Sequence, residues 1–201
     1  MKCFQKIIES NPKQDGWCTL NKAITLAVLV GTLRPKVSIE IGIYAGKSLT
    51  ALALAHQEVG GKVIGIDPWS VKDAVVGYTG ENEKFWNNQP NLDRVKGETF
   101  KWIGLLGVAA WVEIIQKSSD DVHPVKCGLL HVDGQHTLQS LVDVKRFTFE
   151  MDYGSVVVMD DVNWKNDGEA HVQTAVQWLL DNGWVKLYDL EEGAVFQRGV
   201  I

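Results

Sequence analysis

Val37-Ser-Ile-Glu-Ile-Gly-Ile-Tyr-Ala-Gly-Lys-Ser48 decides how the rest of the chain is read. Val37, Ile39 and Ile41 make the β-branched run of a buried strand. Gly42 and Gly46 punctuate a turn, and Ser48 to Ala55 continues as a helix. A strand that passes through a Gly-rich turn into a helix is how open α/β sheets hold nucleotides. The glycines let backbone approach the ligand, and amides at the helix N-terminus face it.

Two nucleotide motifs fail here. A phosphate loop needs four residues between its first Gly and Gly-Lys-Ser, but only Ile43, Tyr44 and Ala45 precede Gly46-Lys-Ser48. The dinucleotide pattern needs a Gly where Tyr44 stands. What is left, Glu40-x-Gly42-x-x-x-Gly46, resembles the first motif of class I S-adenosylmethionine (SAM) methyltransferases.

The chain has 201 residues, 45% of them apolar, which suits one domain with a sizeable core. A net charge of −5, without a basic run, argues against nucleic acid and anionic membrane as partners. Cys3, Cys18 and Cys127 lack metal or redox spacing, which suits a reducing, cytoplasmic setting. The apolar stretch Ala23 to Leu33 is too short to span a bilayer and reads as a buried helix.

In order, residues 1–35 read as two N-terminal helices. The second carries Leu20, Ala23, Ile24, Ala27 and Val28 at core spacing and ends at Arg34-Pro35. After the opening strand, turn and helix, Lys62 to Asp67 is a second strand ending in an acid. Residues 68–97, with Pro68, Gly77, Gly80, Pro90 and Gly97, read as an irregular, aromatic-rich lid. A helix is expected from Glu98 to Ala110 and a third strand from Trp111 to Ile115. A fourth runs from Gly128 to Asp133, a helix from Thr137 to Glu150, and a fifth strand from Ser155 to Asp160. Asn166 and Glu169 have the spacing of a capping box for a helix with Val172, Ala175, Val176, Leu179 and Leu180 on one face. The tail, Val185 to Leu190 and Ala194 to Arg198, is a hairpin around Glu191-Glu-Gly193. The expected fold is therefore α/β and Rossmann-like. It has a mostly parallel seven-stranded sheet, helices on both faces and a C-terminal antiparallel hairpin.

Acids fall where such a sheet binds ligands, outside the carboxyl ends of the strands: Asp67, Asp133, Asp160 and Asp161, with Glu40 inside the first strand. Asp67 is placed to accept from ribose hydroxyls, or else caps the turn before Pro68. Asp133, Asp160 and Asp161 repel one another unless a cation joins them. Hard oxygen donors suit Mg²⁺ or another divalent ion. Adjacent strand residues point to opposite faces, so Asp160 and Asp161 share an ion only if the chain leaves the strand between them; otherwise Asp161 caps a turn. His136, three residues beyond Asp133, is a candidate base or a bystander at a helix start.

Together these residues resemble the small metal-dependent O-methyltransferases, of the catechol and caffeoyl-CoA type and the type acting on antibiotic sugars. The likeness covers about residues 37–165 in motif order, densest at Glu40-Ile-Gly42-Ile-Tyr44-Ala-Gly46-Lys-Ser48. It implies that Glu40, Tyr44 and Ser48 meet the methionine part of SAM around Gly42 and Gly46. It also implies that Asp67 binds the ribose and that Ser118 and Ser119 lie by the adenine. Asp133, Asp160 and Asp161 would be the metal ligands, with Asp133 also beside the cofactor. Val132-Asp-Gly-Gln-His136 places a His where the catechol type has a Lys, as the sugar type does. SAM would bring the activated methyl, and His136 with Asp133 would serve the deprotonation of a small-molecule hydroxyl. Two other readings stay open: a metal-dependent hydrolase or hydroxylase-like relative, and a non-catalytic SAM- or nucleoside-binding subunit. The N-terminal helices and the lid are the candidate surfaces for substrate and for a homo-oligomer.

Overall fold

The computed structural model describes residues 2–88, 91–166 and 168–199. The expectations that fell on Met1 and Pro90 lie outside them. The chain opens with α1 (Cys3–Ser10) and α2 (Leu20–Leu33), whose Thr19 hydroxyl accepts from the Lys22 amide as an N-cap. The quoted stretch forms β1 (Val37–Ile41) and α3 (Lys47–Val59), followed by β2 (Lys62–Ile66). Three helices follow, α4 (Val71–Ala74), α5 (Gly80–Asn87) and α6 (Leu92–Leu106), and then β3 (Val112–Ile115) and β4 (Leu129–Val132). The last elements are α7 (Gln139–Thr148), β5 (Val156–Met159), α8 (His171–Asp181), β6 (Trp184–Leu190) and β7 (Gly193–Arg198).

The seven strands lie in the order β3-β2-β1-β4-β5-β7-β6. The first five are parallel, and the hairpin joins antiparallel to β5. Side chains alternate across each strand and so divide between two layers. Ile39, Ile41, Leu130, Val132, Val157 and Met159 pack against α7 and α8. Leu129, Val156 and Val158 face α1, α2, α3 and α6 instead. That second face also receives Ser38, Glu40 and His131, because Glu40 and His131 stand in register across β1 and β4. The parallel crossovers bring the carboxyl ends of β1, β2, β4 and β5 to one edge, where the ligand crevice of such sheets forms. Among the described residues, no helix is long and apolar enough to cross a membrane.

Three local expectations are corrected. Residues 68–97 are largely helical: they hold α4, α5 and the first turns of α6, which begins at Leu92 rather than Glu98 and ends before Ala110. The Asn91 side chain caps α6 by accepting from the Asp93 and Arg94 amides. Gly97 rides inside the helix, where a side chain would meet nothing. Asn166 does not cap α8, which starts at His171; it exchanges backbone hydrogen bonds with Glu169, and its side chain reaches Gly77, Thr79 and Asn82. The buried stripe of α2 is turned from the expected one. Val28 is 43% exposed, and Lys22, Leu26, Leu29 and Val30 are buried.

Gly42 marks the closest backbone approach in the sheet edge. Its φ is +87°, and a Cβ there would stand 2.1 Å from the Asp133 carbonyl oxygen. Gly107 is also left-handed, at φ +67°, but a Cβ there meets nothing within 4 Å. Gly107→Ala is expected to cost about 1 kcal/mol, the conformational term alone. Gly42→Ala adds backbone overlap and is expected to cost at least about 2 kcal/mol more. Urea unfolding of both variants checks this, and equal losses would contradict the close approach.

Candidate active site

A cavity of about 860 Å³ opens at the carboxyl edge of the sheet, within the roughly 300–1,000 Å³ usual for small-molecule sites. Its walls come from the turns after β1, β2, β4 and β5, from α5, and from the segment before α2. Four non-glycine residues lining the cavity are left-handed: Tyr44 (φ 50°), Trp69 (φ 44°), Asp161 (φ 49°) and Glu191 (φ 54°). Such backbone persists only where neighbours over-determine it. At Tyr44 they do, since its carbonyl accepts from Trp69 Nε1 at 2.8 Å and Thr99 Oγ1 at 3.0 Å.

Asp67 ties the Gly-rich turn to β2. One carboxylate oxygen accepts from the Ile43 and Tyr44 amides, both at 2.9 Å, and the other from the Trp69 amide at 2.7 Å. Asp67 thus caps the turn before Pro68 and also lines the cavity. Ser48, Ser118 and Ser119 line it too. The loop that carries Ser119 is held from α7. Arg146 donates to the carbonyls of Ser119, Asp120 and Val122, and Gln139 donates to the Asp120 and Asp143 carboxylates.

The acids and His136 gather at the other end. Asp133 is anchored by its amide to the Ile41 carbonyl, and Asp160 by its amide to Val132, so β1, β4 and β5 set both positions. The left-handed turn at Asp161 takes the chain out of the strand, so its carboxylate joins the same site. The donor atoms form two overlapping sets, each within 4.8 Å: an inner one of His131, Asp133 and Asp160, and an outer one of Asp133, His136 and Asp161. The buried Lys22 ammonium of α2 pairs with Asp160. Burial works against charge on Asp160, yet Lys22 holds its carboxyl below the usual range. Burial and the neighbouring Asp160 push Asp133 well up, and raise Asp161 to about 7. Burial lowers His136 to about 4, which leaves its imidazole neutral at pH 7. His136 Nε2 stands 3.2 Å from Asp161 but is not aligned to hydrogen-bond it. The His136 amide donates to the Tyr78 hydroxyl at 2.8 Å, and Trp164 lies edge-on at 5.0 Å.

A family model for a methyltransferase domain matches residues 39–162, more than half of the chain. The chain belongs to that methyltransferase domain family. No curated protein sequence matches it. Among solved structures, it is similar to the SAH-bound methyltransferase PaMTH1 of Podospora anserina (TM-score 0.70, 13% identity, 100% of this chain and 89% of that one). It is similar to the O-methyltransferase NovP (TM-score 0.71, 14% identity, 92% and 84%). It is also similar to TomG of Streptomyces achromogenes, involved in tomaymycin synthesis and solved with SAM (TM-score 0.63, 15% identity, 100% and 91%). At these identities the likeness is one of fold, the Rossmann-like fold of SAM-dependent O-methyltransferases.

Two residues expected at the cofactor of this methyltransferase domain do not line the cavity. Glu40 is fully buried and accepts from His131 Nδ1 at 2.8 Å, and Gly46 packs on Thr99 of α6. Sequence reading missed Lys22, whose signal was a lysine four residues before Leu26 and seven before Leu29, on their helix face. It also missed Trp17, which stacks 4.8 Å from Tyr44.

Asp143, buried on α7 beneath the Ser119 loop, is raised by burial to about 6. Between pH 3.8 and about 6 the folded chain therefore binds more protons at this carboxyl than the unfolded one, so its contribution to stability falls as pH rises. Above that window the cost is on the order of 3 kcal/mol. Asp143→Asn is expected to flatten this slope in urea unfolding from pH 4 to 7; an unchanged slope would contradict the assignment.

Proposed function

We propose that this methyltransferase domain transfers a methyl group from SAM to a hydroxyl of a small molecule. The observation that carries the reading is a single cavity with two chemically different ends. One is the Gly42 turn with Asp67, Ser118 and Ser119; the other is Asp133, His136 and Asp161. SAM, when bound, supplies an activated methyl group. PaMTH1 is solved with SAH and TomG with SAM, which supports that half of the reading.

The chain's own residues then have distinct tasks. Asp67 keeps the turn in shape and, as part of the cavity wall, would meet the ribose. Tyr44 and Ser48 border the methionine end, and Ser118 and Ser119 the adenine end. His136, neutral and walled by Tyr78 and Trp164, takes the proton of the acceptor hydroxyl at Nε2. The donor chemistry of the outer set fits a hydrated divalent cation such as Mg²⁺, held by the carboxylates of Asp133 and Asp161. Such an ion would lower the pKa of the acceptor hydroxyl. Asp160, the third carboxylate expected there, is paired with the Lys22 ammonium. Trp17, Phe85 and Trp86 wall the opening, with Phe85 and Trp86 at 5.5 Å, and exclude water from the transfer.

Calorimetry with SAM, first with Mg²⁺ and then with EDTA, tests this. Micromolar binding is expected in both, because Asp67 and the Gly42 turn at the cofactor end are held by backbone amides and not by an ion. His136→Ala is expected to leave SAM affinity within about threefold while lowering turnover on a hydroxyl-acceptor panel at least about 100-fold. No SAM binding in either buffer sinks the reading.

A further inference from the structure

The acidic cluster holds two overlapping donor sets, and an ion at the outer one would not meet every member of the inner one. The inner donor set, His131, Asp133 and Asp160, lies beneath α2, and two of its members are fixed independently of any ligand. His131 is fully buried, with Nδ1 bound to Glu40 and Nε2 without a partner among the described residues. Asp160 is 4% exposed and receives the Lys22 ammonium. Lys22 is itself buried, on the stripe of α2 that carries Leu26, Leu29 and Val30, and it reaches the cavity wall beside Cys18 and Thr19. A lysine in that position is a cation covalently supplied by the fold.

We propose that Lys22 is the resident cation of the inner donor set. It withdraws Asp160 from metal coordination and leaves Asp133 and Asp161 as the carboxylates open to an exchangeable divalent ion. The inference rests on the outer cation site of the proposed function only for the role of Asp133 and Asp161. Its core, that an ammonium fills the inner set, stands without it. With the ammonium removed, the inner set offers one imidazole nitrogen and two carboxylates, a donor set that suits Mn²⁺ better than Mg²⁺.

The test uses Mn²⁺ alone, read by electron paramagnetic resonance titration and by the shift of thermal midpoint. Lys22→Ala removes the ammonium and opens room, and is expected to bind Mn²⁺ at least about tenfold more tightly than the wild type. It should also gain more in thermal midpoint from the ion. Lys22→Met removes the charge but fills the space, and should gain less. In Lys22→Met/Asp160→Asn the buried pair becomes neutral, which keeps the protein testable if Lys22→Ala does not fold. Its Mn²⁺ affinity should stay within about threefold of wild type, since Asp160 is not a ligand there. A loss of tenfold or more in that double variant would make Asp160 a wild-type ligand and overturn the inference. So would a folded Lys22→Ala that binds Mn²⁺ no better than wild type. Tight binding by Lys22→Ala with none by wild type would support the inference while removing the outer cation site.

Discussion

Buried carboxylates demand positive charge, and that demand governs how this chain closes over its cavity. Glu40, Asp133 and Asp160 stand on one face of three neighbouring strands, on the side covered by α2 and α3. An unpaired buried carboxylate would either take a proton or destabilise the fold by several kcal/mol. The structure answers each differently. Glu40 meets His131, Asp160 meets Lys22, and Asp133, squeezed by burial and by Asp160, is driven toward the protonated form. The orientation of α2 follows from this. Its buried stripe includes Lys22 and leaves Val28 partly in water, the opposite of what apolar content alone would choose.

The same interaction ties the N-terminal segment to the chemistry. Lys22 sits one turn into α2, and the residues just before it, Gly16 to Thr19, line the cavity. Thr19 Oγ1 donates to Glu191 at 2.7 Å, Lys47 Nζ to the Gly16 carbonyl at 3.3 Å, and Arg94 pairs with Asp15. These exposed polar contacts are individually weak. The buried pair gives the strap its fixed point, and the surface contacts align it. On the far side, Asn166 does similar work for α4 and α5, donating to the Gly77 carbonyl and accepting from Asn82 and the Thr79 amide. The cavity is thus covered by two segments, each tied down by one buried polar side chain.

Much of this was legible in the sequence where the cause is local. The β-branched runs, the Gly42 turn, the acids at strand ends and the Glu191-Glu-Gly193 turn each need only neighbouring residues to be understood. Their positions hold to within a residue or two. What stayed hidden depends on partners far along the chain. Lys22 and Asp160 are 138 residues apart, and Asn166 is 89 from Gly77. Asn166 and Glu169 have capping-box spacing, yet the Asn side chain gains more by satisfying the amide and carbonyl of a distant turn. Gly97 read as a breaker because its solvent-facing position within α6 could not be seen. The left-handed turn at Asp161, which decides whether its carboxylate joins Asp133, is held locally by the Asp161 amide donating to Asp160 and distantly by the Val162 amide donating to the Glu192 carbonyl.

The two ends of the cavity differ in how they are pre-organised, and this bears on what each can bind. At the cofactor end the polar groups are already satisfied: Asp67 accepts three amides, and α7 holds the Ser119 loop through Arg146 and Gln139. A ligand there meets fixed shape and a few remaining lone pairs, so its binding costs little rearrangement. At the acidic end, satisfaction is incomplete. Among the described residues His136 Nε2 and His131 Nε2 lack hydrogen-bond partners, and burial and the neighbouring Asp160 raise the Asp133 and Asp161 carboxyls. Groups left in that state gain most from a proton donor or a cation, and a hydroxyl acceptor brings the first. Fixed geometry at one end and unmet electrostatic demand at the other therefore divide the labour. In the proposed function, the first end would select the cofactor by shape, and the second would draw the acceptor oxygen toward His136.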